Sequence, residues 1–323
     1  MKYVITGGAG FIGSHLADYF FRKNIKFIIL DNLCNGKISN IHKYKKNLIK
    51  CDLSKKGKWQ NKIAKNDVII HLAALADIVP SIANPENYFD SNVVGTFNLM
   101  ETARKVGVKK IIYAASSSCY GLTNKFPTNE ETKISLEYPY ALTKHLGEEI
   151  VMHWAKIYKL NVISLRLFNV YGERSRTNGT YGAVFGVFLA QKINNKPLTI
   201  VGDGNQKRDF IYVTDVVNAI ILSIKSKTKN QIINIGSGKP KSINTLADYI
   251  SKEKIYIKKR PGEPDLTYAN ISKAKKLLNW KPFISFEKGV KKVLKNISYW
   301  KNSPVWTENN IKIATKEWFR YLK

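Results

Sequence analysis

The chain begins with a glycine-rich turn between a strand and a helix, in the run KYVITGGAGFIGSHLADYFFRKN at residues 2–24. Residues 2–6 are rich in β-formers, and residues 14–23 carry apolar side chains at helical spacing. Between them, Gly7, Gly10 and Gly13 form a GxxGxxG pattern. Glycines let the backbone turn sharply and approach a pyrophosphate, to which the helix N-terminus presents free N–H groups. The run therefore predicts a βαβ unit that binds a dinucleotide.

The next strand, KFIILDN at 26–32, places an acid where such a site needs one. Asp31 follows Gly13 by 18 residues. This is about the sequence separation at which such folds place the carboxylate that binds the adenosine ribose hydroxyls. A carboxylate at this position repels the 2′-phosphate of NADP, so the sequence favours NAD. The alternative for Asp31 is an ordinary turn residue at the end of a strand.

The remaining apolar runs predict the architecture of the whole sheet. Strands are predicted at 47–53, 67–74, 109–118 and 161–170, separated by helical stretches, notably 88–106 and 140–158. This alternation is typical of a parallel, doubly wound α/β sheet. Ligands of such sheets bind at the carboxyl ends of the strands. Asp52, Ala73, Ala74, Ser116 and Asn169 lie at predicted strand ends.

The run EYPYALTKHLGEE at 137–149 places a phenol and an ammonium group one helical turn apart, at Tyr140 and Lys144. The alternative is a simple i,i+4 pair that stabilises the helix. Beside a dinucleotide site, a fixed cation lowers the pKa of a phenol because it favours the charged form. Tyr140 then takes a proton from a substrate hydroxyl while a hydride leaves the same carbon for NAD, and Ser116 holds the oxygen.

The net charge of +29 is unusual for an enzyme that acts on small-molecule substrates. Its basic residues are spread along the chain in short pairs, and no arm or single helix concentrates them. No zinc-finger spacing or RNA-binding aromatic motif accompanies them. Nucleic-acid binding is therefore not expected, and the charge suits an anionic small substrate.

Composition also limits the setting of the protein. No apolar run reaches the roughly 18 residues that span a bilayer, and the first apolar run is too short for a secretion signal. The cysteines are three and scattered, at Cys34, Cys51 and Cys119, so neither a disulfide framework nor a CxxC metal site is indicated. A cytoplasmic protein with no metal and no membrane association is expected.

Longer motifs occur in a fixed order along the chain. They are TGGAGFIGSHL at 6–16, HLAA at 71–74, NVVGTFNLM at 92–100, AASSSCYG at 114–121, YALTK at 140–144, RLFNVYG at 166–172, GDGNQKRDFIYVTDV at 202–216 and RPGEPD at 260–265. With them the sequence resembles the extended short-chain dehydrogenase/reductases, specifically the NAD-dependent epimerase/dehydratase family acting on nucleotide sugars. Its motifs most resemble those of the UDP-glucose and UDP-glucuronate 4-epimerases.

This resemblance implies a Rossmann doubly wound parallel sheet with a smaller, partly discontinuous C-terminal substrate-binding domain. Residues 1–172 would form the NAD-binding domain, with 209–236 returning to it. Residues 173–323 would mostly bind the nucleotide sugar, with UDP favoured as the nucleotide. Helices 88–106 and 140–158 often form a dimer interface in the family, so a homodimer is expected.

The resemblance also implies roles for individual residues. The catalytic residues would be Ser116, Tyr140 and Lys144. The cofactor would be held by Gly7, Gly10, Phe11, Ile12, Gly13, Asp31, Asn32, Asp52, Leu53, Leu72, Ala73, Ala74, Asn92, Tyr140 and Lys144. The substrate would be held by Ser117, Ser118, Asn169, Arg208, Arg260 and Glu263. The two arginines would bind phosphate, which their planar donors suit, and Asp209 would be structural.

The residues after Ser116 bear on the reaction. In the family, 4,6-dehydratases usually carry an acidic pair there and decarboxylases tend to keep a glutamate, whereas this chain has Ser117 and Ser118. Without an acid, elimination lacks a general acid/base worth roughly 10²–10⁴-fold. The serines are similar to those of 4-epimerases. Such enzymes oxidise sugar carbon 4 with NAD, let the 4-keto sugar rotate, and return the hydride to the opposite face.

Two other functions stay open at this point. The chain could be a 4,6-dehydratase with displaced acids, or a 4-dehydrogenase that releases the keto sugar and NADH. Alternatively, it could be a regulatory or nucleic-acid-binding protein that keeps NAD as a structural ligand. The intact set of Ser116, Tyr140 and Lys144 argues against that last class, because a binding protein has no need of a base.

Overall fold

The computed structural model describes residues 1–175 and 182–322. The strands in that part of the chain are β1 (Tyr3–Thr6), β2 (Phe27–Asp31), β3 (Leu48–Lys50), β4 (Val68–His71), β5 (Lys110–Ser116), β6 (Val162–Leu167), β7 (Asn169–Tyr171), β8 (Leu198–Val201), β9 (Lys207–Arg208), β10 (Phe210–Tyr212), β11 (Gln231–Ile235), β12 (Lys241–Ser242) and β13 (Lys254–Ile257). The helices are α1 (Phe11–Arg22), α2 (Ile78–Ala83), α3 (Pro85–Phe89), α4 (Gly95–Val106), α5 (Pro139–Tyr158), α6 (Val184–Ile193), α7 (Val213–Lys225), α8 (Ile243–Ile250), α9 (Ser272–Leu278), α10 (Phe286–Lys295), α11 (Glu308–Ala314) and α12 (Lys316–Tyr321). Shorter 3-10 segments occur at Ile38–Asn47, Gln60–Lys62, Ser117–Tyr120 and Ile297–Trp300, and a π-helical turn at Asp90–Val94.

Seven parallel strands form the main sheet, in the order β11-β6-β5-β4-β1-β2-β3. The chain starts in the middle of the sheet, winds outward through β2 and β3, and then crosses back to β4. The order reverses between β1 and β4, and open α/β sheets bind ligands at the carboxyl ends of strands beside such a reversal. The predicted Rossmann sheet is confirmed.

Helices cover both faces of this sheet, so its strands are apolar on both sides. On one face, Leu16 and Phe20 of α1 and Ile220 of α7 pack against strand residues such as Ile5. On the other face, helices α4 and α5 contribute Leu99, Met100, Ala103, Val151 and Ala155 to a second core. Both cores leave the carboxyl edge of the sheet open.

A separate core lies in the C-terminal half. It is formed by α6, β8, α8 and α10, with the buried Trp300, and includes a stacked pair of rings at Tyr171 and Phe185, 4.4 Å apart. The last strand of the main sheet, β11, comes after part of this unit in the chain. The domain boundaries at 172/173 and around 209–236 remain a proposal.

The structure divides two segments that the sequence predicts as continuous. The predicted strand 161–170 breaks at Phe168, where β6 ends beside β11, and β7 leaves the main sheet to pair with β10. The predicted helix 88–106 is α3, a π-helical turn and α4. The wider turn carries Asn92, which makes long-range hydrogen bonds described below, and π-turns often mark functional positions.

Candidate active site

A deep cleft lies between the carboxyl edge of the main sheet and the smaller C-terminal unit, with a cavity volume of about 610 Å³. Its wall contains all but one of the residues assigned from the sequence. These are Gly7, Gly10, Phe11, Ile12, Gly13, Asp31, Asn32, Asp52, Leu53, Leu72, Ala73, Ala74, Ser116, Ser117, Ser118, Tyr140, Lys144, Asn169, Arg208, Arg260 and Glu263. The exception is Asn92.

The glycine loop occupies one end of the cleft and leaves no room for side chains. Gly7 has a φ of +66°, and a Cβ on it would lie 2.8 Å from the backbone of Ala73. A Cβ on Gly13 would lie 2.2 Å from the carbonyl oxygen of Gly7. Helix α1 begins at Phe11 with Gly10 as its N-cap residue, and no side chain caps it. The first N–H groups of α1 therefore point at the cleft from a backbone cradle that fits a pyrophosphate.

Asp31 lies on the cleft wall beside this cradle and also shapes it. Its carboxylate accepts hydrogen bonds from the backbone N–H groups of Ala9, at 2.9 Å, and Leu33, at 2.8 Å. Burial raises the pKa of Asp31, while these two hydrogen bonds act to lower it. Each oxygen keeps a second lone pair for a ribose hydroxyl. Asp31 thus joins the glycine loop to the candidate ribose position.

We expect an Asp31→Ala variant to bind NAD about tenfold to a hundredfold more weakly, because a hydrogen bond to a charged group is worth about 1.5–3 kcal/mol. Its discrimination against NADP should also relax, since the repelling charge is gone. Cofactor titration of stripped protein by calorimetry measures both. Asp67→Ala is the matched control, because Asp67 also holds backbone N–H groups, those of Lys2 and Ala64, but outside the cleft. Unchanged affinity for both cofactors in Asp31→Ala would remove the ribose assignment.

Ser116, Tyr140 and Lys144 meet at the middle of the cleft. Ser116 ends β5, while Tyr140 and Lys144 occupy the first two turns of α5. The oxygen of Ser116 accepts hydrogen bonds from the backbone N–H of Ser118, at 3.2 Å, and from its hydroxyl, at 2.8 Å. Both lone pairs of the Ser116 oxygen are then used, so its own proton is the group left to donate. A hydrogen bond between Ser116 and the Tyr140 side chain acts to lower the pKa of the phenol.

One electrostatic prediction is wrong for the protein alone. The sequence predicts that Lys144 lowers the pKa of Tyr140, yet burial raises the pKa of this phenol above its ordinary value despite the Ser116 hydrogen bond. Burial also lowers the pKa of Lys144 to about 7, so its own charge is only partly retained near neutrality. Desolvation disfavours the charged form of both groups, and for Tyr140 it outweighs the effect expected from a lysine one helical turn away.

Lys144 is held firmly at the floor of the cleft. Its ammonium donates a 2.6 Å hydrogen bond to the carbonyl of Ala114 and lies 4.4 Å from the ring centroid of Tyr113. His71 lies nearby on β4, bonded through both ring nitrogens to Thr6 and Thr96. Burial and the Lys144 charge lower the pKa of His71 to about 3, so this imidazole stays neutral.

Asn92 lies beneath the cleft instead of on its wall. Its amide exchanges two hydrogen bonds with the backbone of Leu75, at 2.8 and 3.0 Å, and donates a third to Thr143 at 3.1 Å. Thr143 precedes Lys144 on α5. All of these amide groups are used by the protein, so Asn92 ties the loop after β4 to α5 and has no donor left for a cofactor.

Positive charge gathers at the other end of the cleft. Arg260 forms an ion pair with Glu263 at 2.8 Å and lies over the ring of Trp318, 5.4 Å from its centroid. Burial lowers the pKa of the Arg208 guanidinium, and the charge of Arg260 acts in the same direction. Glu263 acts in the opposite direction. Two guanidinium groups with one carboxylate between them leave a net positive site that suits a diphosphate.

Asn169 belongs to a hydrogen-bond network that reaches Asp209, the neighbour of Arg208. Its Oδ1 accepts a 2.8 Å hydrogen bond from Thr267, whose hydroxyl accepts the backbone N–H of Asp209 at 2.9 Å. The Asp209 carboxylate is buried and accepts hydrogen bonds from Ser237, Gly238 and Ala269, which supports the structural role expected for it. The network orients the Asn169 amide with its oxygen toward Thr267.

Trp318 and Asp77 are among the cleft residues that were not predicted as site residues. Trp318 of α12 reaches the wall from the end of the chain, fixed by a 2.7 Å hydrogen bond from its indole N–H to the carbonyl of Pro261. Asp77, on the loop between β4 and α2, adds a carboxylate to the wall. The HLAA motif ends at 74, and no local pattern marks this aspartate.

A parallel sheet with a phosphate cradle and a hydroxyl, a phenol and an ammonium group beside it defines a nucleotide-dependent enzyme of the Rossmann class. The family model described as the NAD dependent epimerase/dehydratase family matches residues 3–236, and the chain belongs to this family. NAD is the cofactor of the family. The described residues contain no group of three or more His, Cys, Asp or Glu side chains that could hold a metal ion. Nor does any described helix have the length and hydrophobicity needed to cross a membrane.

Several known proteins are similar to this chain over almost its full length. A putative UDP-glucose 4-epimerase of Methanocaldococcus jannaschii is 39% identical, covering 95% of this chain and 98% of the relative. A UDP-N-acetylglucosamine 4-epimerase of Methanobrevibacter ruminantium, solved with UDP-N-acetylmuramic acid, is 34% identical with a TM-score of 0.84, covering 91% and 98%. A UDP-glucuronic acid 4-epimerase of Bacillus cereus, solved with UDP-glucuronic acid and NAD, is 29% identical with a TM-score of 0.84, covering 92% and 99%.

Similarity alone does not separate the reactions of the family. A UDP-N-acetyl-alpha-D-glucosaminuronate decarboxylase of Bacillus cytotoxicus is 31% identical over 91% of this chain and 96% of its own length. The reaction therefore has to be inferred from the residues of the cleft.

Proposed function

We propose that this protein is an NAD-dependent nucleotide-sugar 4-epimerase acting on a UDP-sugar of the UDP-glucose, UDP-N-acetylglucosamine or UDP-glucuronate type. The observation that carries this proposal is the group of Ser116, Tyr140 and Lys144 in the cleft, followed by Ser117 and Ser118 where related dehydratases place acids. The relatives named as 4-epimerases support it.

The residues present fit NAD. The glycine cradle and the start of α1 would hold the pyrophosphate, with Asp31 and Asn32 at the adenosine ribose and Asp52 and Leu53 at the adenine. Ala73 and Ala74 pass along the cleft floor, and Lys144 would hold the nicotinamide ribose. When bound, NAD supplies a hydride acceptor that can return the hydride, together with a positively charged ring.

Tyr140 would handle the proton of the reaction. In its deprotonated form, Tyr140 would take the proton from the 4-hydroxyl of the sugar and later give it back, so that the sugar is reprotonated on the same oxygen. Ser116 would donate a hydrogen bond from its hydroxyl to this oxygen, because both lone pairs of the Ser116 oxygen accept hydrogen bonds from Ser118. Burial raises the pKa of Tyr140 in the protein alone, and the positive charge of a bound nicotinamide ring would oppose this by favouring the phenolate.

The nucleotide would be held at the arginine end of the cleft. Arg208 and Arg260 would bind the diphosphate, Glu263 the ribose of the nucleotide, and the amide of Asn169 the phosphate side nearest the sugar. Anchoring by the nucleotide leaves the sugar as the part that can turn. A 4-epimerase needs this freedom, since the hydride must return to the other face of carbon 4.

One observation in the cleft favours a second candidate reaction. Among the described residues, the carboxylates on the cleft wall are Asp31, Asp52, Asp77 and Glu263. Asp77 belongs neither to the proposed adenosine position nor to the arginine pair. It is the residue that would serve as a displaced acid in a 4,6-dehydratase, so elimination of water is the alternative to epimerisation.

A product assay decides between these reactions. The protein is incubated with a panel of UDP- and GDP-sugars, products are identified by mass spectrometry and NMR, and NADH is followed by absorbance. A new isomer of unchanged mass with no net NADH is the expected result and names the donor. Loss of water, loss of carbon dioxide, or steady NADH release would move the protein to another reaction of its family.

We also propose a cytoplasmic homodimer that forms through α4 and α5. Helices α3 to α5 carry large apolar side chains that are each 41–50% exposed: Phe89, Phe97, Leu142, Ile157 and Tyr158. Phe97 contacts Trp154 edge to face, and Trp154 contacts Tyr158, so an aromatic row joins α4 to α5. Exposed apolar patches of this kind mark protein interfaces.

The dimer proposal predicts that Ile157→Glu yields a monomer, because burying a carboxylate in an apolar interface is costly. Analytical ultracentrifugation measures the change in mass. Ile313→Glu is the matched control, since Ile313 is an exposed isoleucine on α11, 67% exposed against 50% for Ile157. If both variants sediment as the unmodified protein does, this face is not the interface.

A further inference from the structure

A buried ion pair lies beside the catalytic helix and has no part in the proposed reaction. Glu148 stands one helical turn after Lys144 on α5, and Arg166 lies on the adjacent strand β6. Two nitrogens of Arg166 donate to one oxygen of Glu148, at 2.9 and 2.6 Å. The hydroxyl of Ser164 donates to the other oxygen at 2.6 Å. Glu148 is 1% exposed and Arg166 is 3% exposed, so water barely reaches either group.

An ion pair in this position is not explained by stability alone. Burying two charges costs several kcal/mol per ion, and such pairs can often be replaced by apolar residues without loss of stability. Here the chain surrounds the pair with further hydrogen bonds. Arg166 also donates to the hydroxyl of Tyr120 at 3.0 Å, and Tyr120 donates to Asn234 at 2.7 Å. The Glu148 carboxylate is therefore fixed in place and held in its charged form.

The charges around Lys144 are unbalanced. The titratable groups around it are Tyr140 and Glu148 on α5, Tyr113 on β5 and His71 on β4. Glu148 in turn contacts Arg166 on β6 and His145 on α5, whose Nδ1 lies 3.9 Å from the carboxylate. His71 is neutral, and burial with the Glu148 charge keeps the pKa of Tyr113 well above its ordinary value, so this phenol is neutral too. Among these groups the cations are Lys144 and Arg166 and the anion is Glu148. One carboxylate balances two cations.

We propose that Glu148 is a positioning residue that keeps Lys144 protonated in the cleft, with Arg166 limiting how far it does so. The carboxylate acts through space, one turn below the lysine, and its place is set by Ser164 and Arg166. Removing Glu148 would leave two uncompensated cations, and Lys144 is the one of the two that can lose its proton. Removing Arg166 would give the whole carboxylate charge to Lys144. The kinetic part of this inference rests on the proposed function.

The electrostatics of the site agree with this geometry. Burial lowers the pKa of Lys144 to about 7, and the charge of Glu148 is what opposes that change. A lysine that titrates this close to neutrality responds to small changes in its surroundings. Its charge is therefore a property that one neighbouring carboxylate can control.

The test compares two variants for which a charge effect and a packing effect predict different shifts in the pKa of Lys144. The pKa of Lys144 is followed by NMR of protein with isotope-labelled lysine side chains, the signal being assigned by its absence in Lys144→Arg. Glu148→Gln should lower that pKa by about one unit, and Arg166→Gln should raise it by a similar amount. The double variant should return it toward the native value. A packing role predicts the same direction in both single variants, because a loosened site admits water and relieves burial.

Ser164→Ala is the control for lost hydrogen bonding, since it removes one bond to Glu148 and keeps every charge. It should leave the pKa of Lys144 within about 0.3 units of native. If Glu148→Gln does not fold, Arg166→Gln alone still decides the matter. An unchanged or lowered Lys144 pKa in Arg166→Gln, or shifts of the same sign in both single variants, overturns the proposal.

Turnover provides a second readout once the substrate is known. Lys144 must be charged to act, so the alkaline limb of the kcat profile should move to lower pH in Glu148→Gln and to higher pH in Arg166→Gln. Opposite NMR shifts in a protein that epimerises no sugar would keep this inference and reject the proposed function. Epimerisation in a protein whose variants show no shift in the Lys144 pKa would keep the proposed function and reject this inference.

Discussion

A Tyr140→Phe variant should lose turnover by about a hundredfold to ten-thousandfold while still carrying its NAD. The phenol is the group that exchanges a proton with the substrate, and a positioned general base contributes roughly this much. The cofactor contacts assigned to the cradle, to Asp31 and to Lys144 do not need the hydroxyl. Turnover is measured with the donor found in the product assay, and the retained cofactor by denaturing the protein and quantifying released NAD.

Tyr88→Phe is the matched control for this experiment. Tyr88 is a buried tyrosine on α3 whose ring lies edge to face with that of Tyr140, 6.4 Å away. Tyr88→Phe also removes a phenolic oxygen, but from the tyrosine behind Tyr140. Turnover should therefore stay within a few fold of the native value. Near-native rates in Tyr140→Phe would show that the base has been assigned wrongly. Equal losses in both variants would point to ring packing as the cause.

The second large effect is expected from Gly13→Ala. The added Cβ would lie 2.2 Å from the carbonyl oxygen of Gly7 and 2.7 Å from the Cα of Gly8, so the backbone of the cradle must move. Backbone displacement of this size should weaken NAD binding by about a hundredfold, since overpacking costs about 1–3 kcal/mol and the phosphate contacts depend on position. Calorimetric titration of stripped protein measures the loss.

Gly57→Ala controls for the chemical change itself. A Cβ on Gly57 meets only the Trp59 ring, at an ordinary contact distance of 3.7 Å. NAD affinity should be unchanged there, and both variants should keep the circular dichroism of the native fold. If Gly13→Ala binds NAD as tightly as the native chain, the pyrophosphate does not lie against this turn.

The parts of the site that the sequence predicts are those that depend on neighbouring residues or on sheet direction. The cradle follows from glycine spacing between β1 and α1. The meeting of Ser116 with Tyr140 follows because, in a parallel α/β sheet, helices begin at the same edge at which the preceding strands end. Both features need only local periodicity and the rule for α/β sheets.

The parts that it does not predict depend on contacts between distant segments. Asn92 matches a family position, yet its amide is taken by Leu75 and Thr143, 17 and 51 residues away. Trp318 reaches the cleft only because α12 folds back on Pro261. The pKa of Tyr140 is set mainly by burial, which helical spacing to Lys144 does not reveal.

The position of β11 at the edge of the main sheet has a consequence for how the protein is made. Strand β6 is complete once residue 167 has been synthesised, but its outer edge is covered only by Gln231–Ile235. Until then, a growing polypeptide on the ribosome presents a buried-type strand, VISLRL, with unpaired backbone groups. Such an edge is a template for wrong pairing with other chains. The nascent protein therefore passes through a period of exposure to aggregation that lasts for more than sixty residues of translation, and chaperones have that interval in which to act.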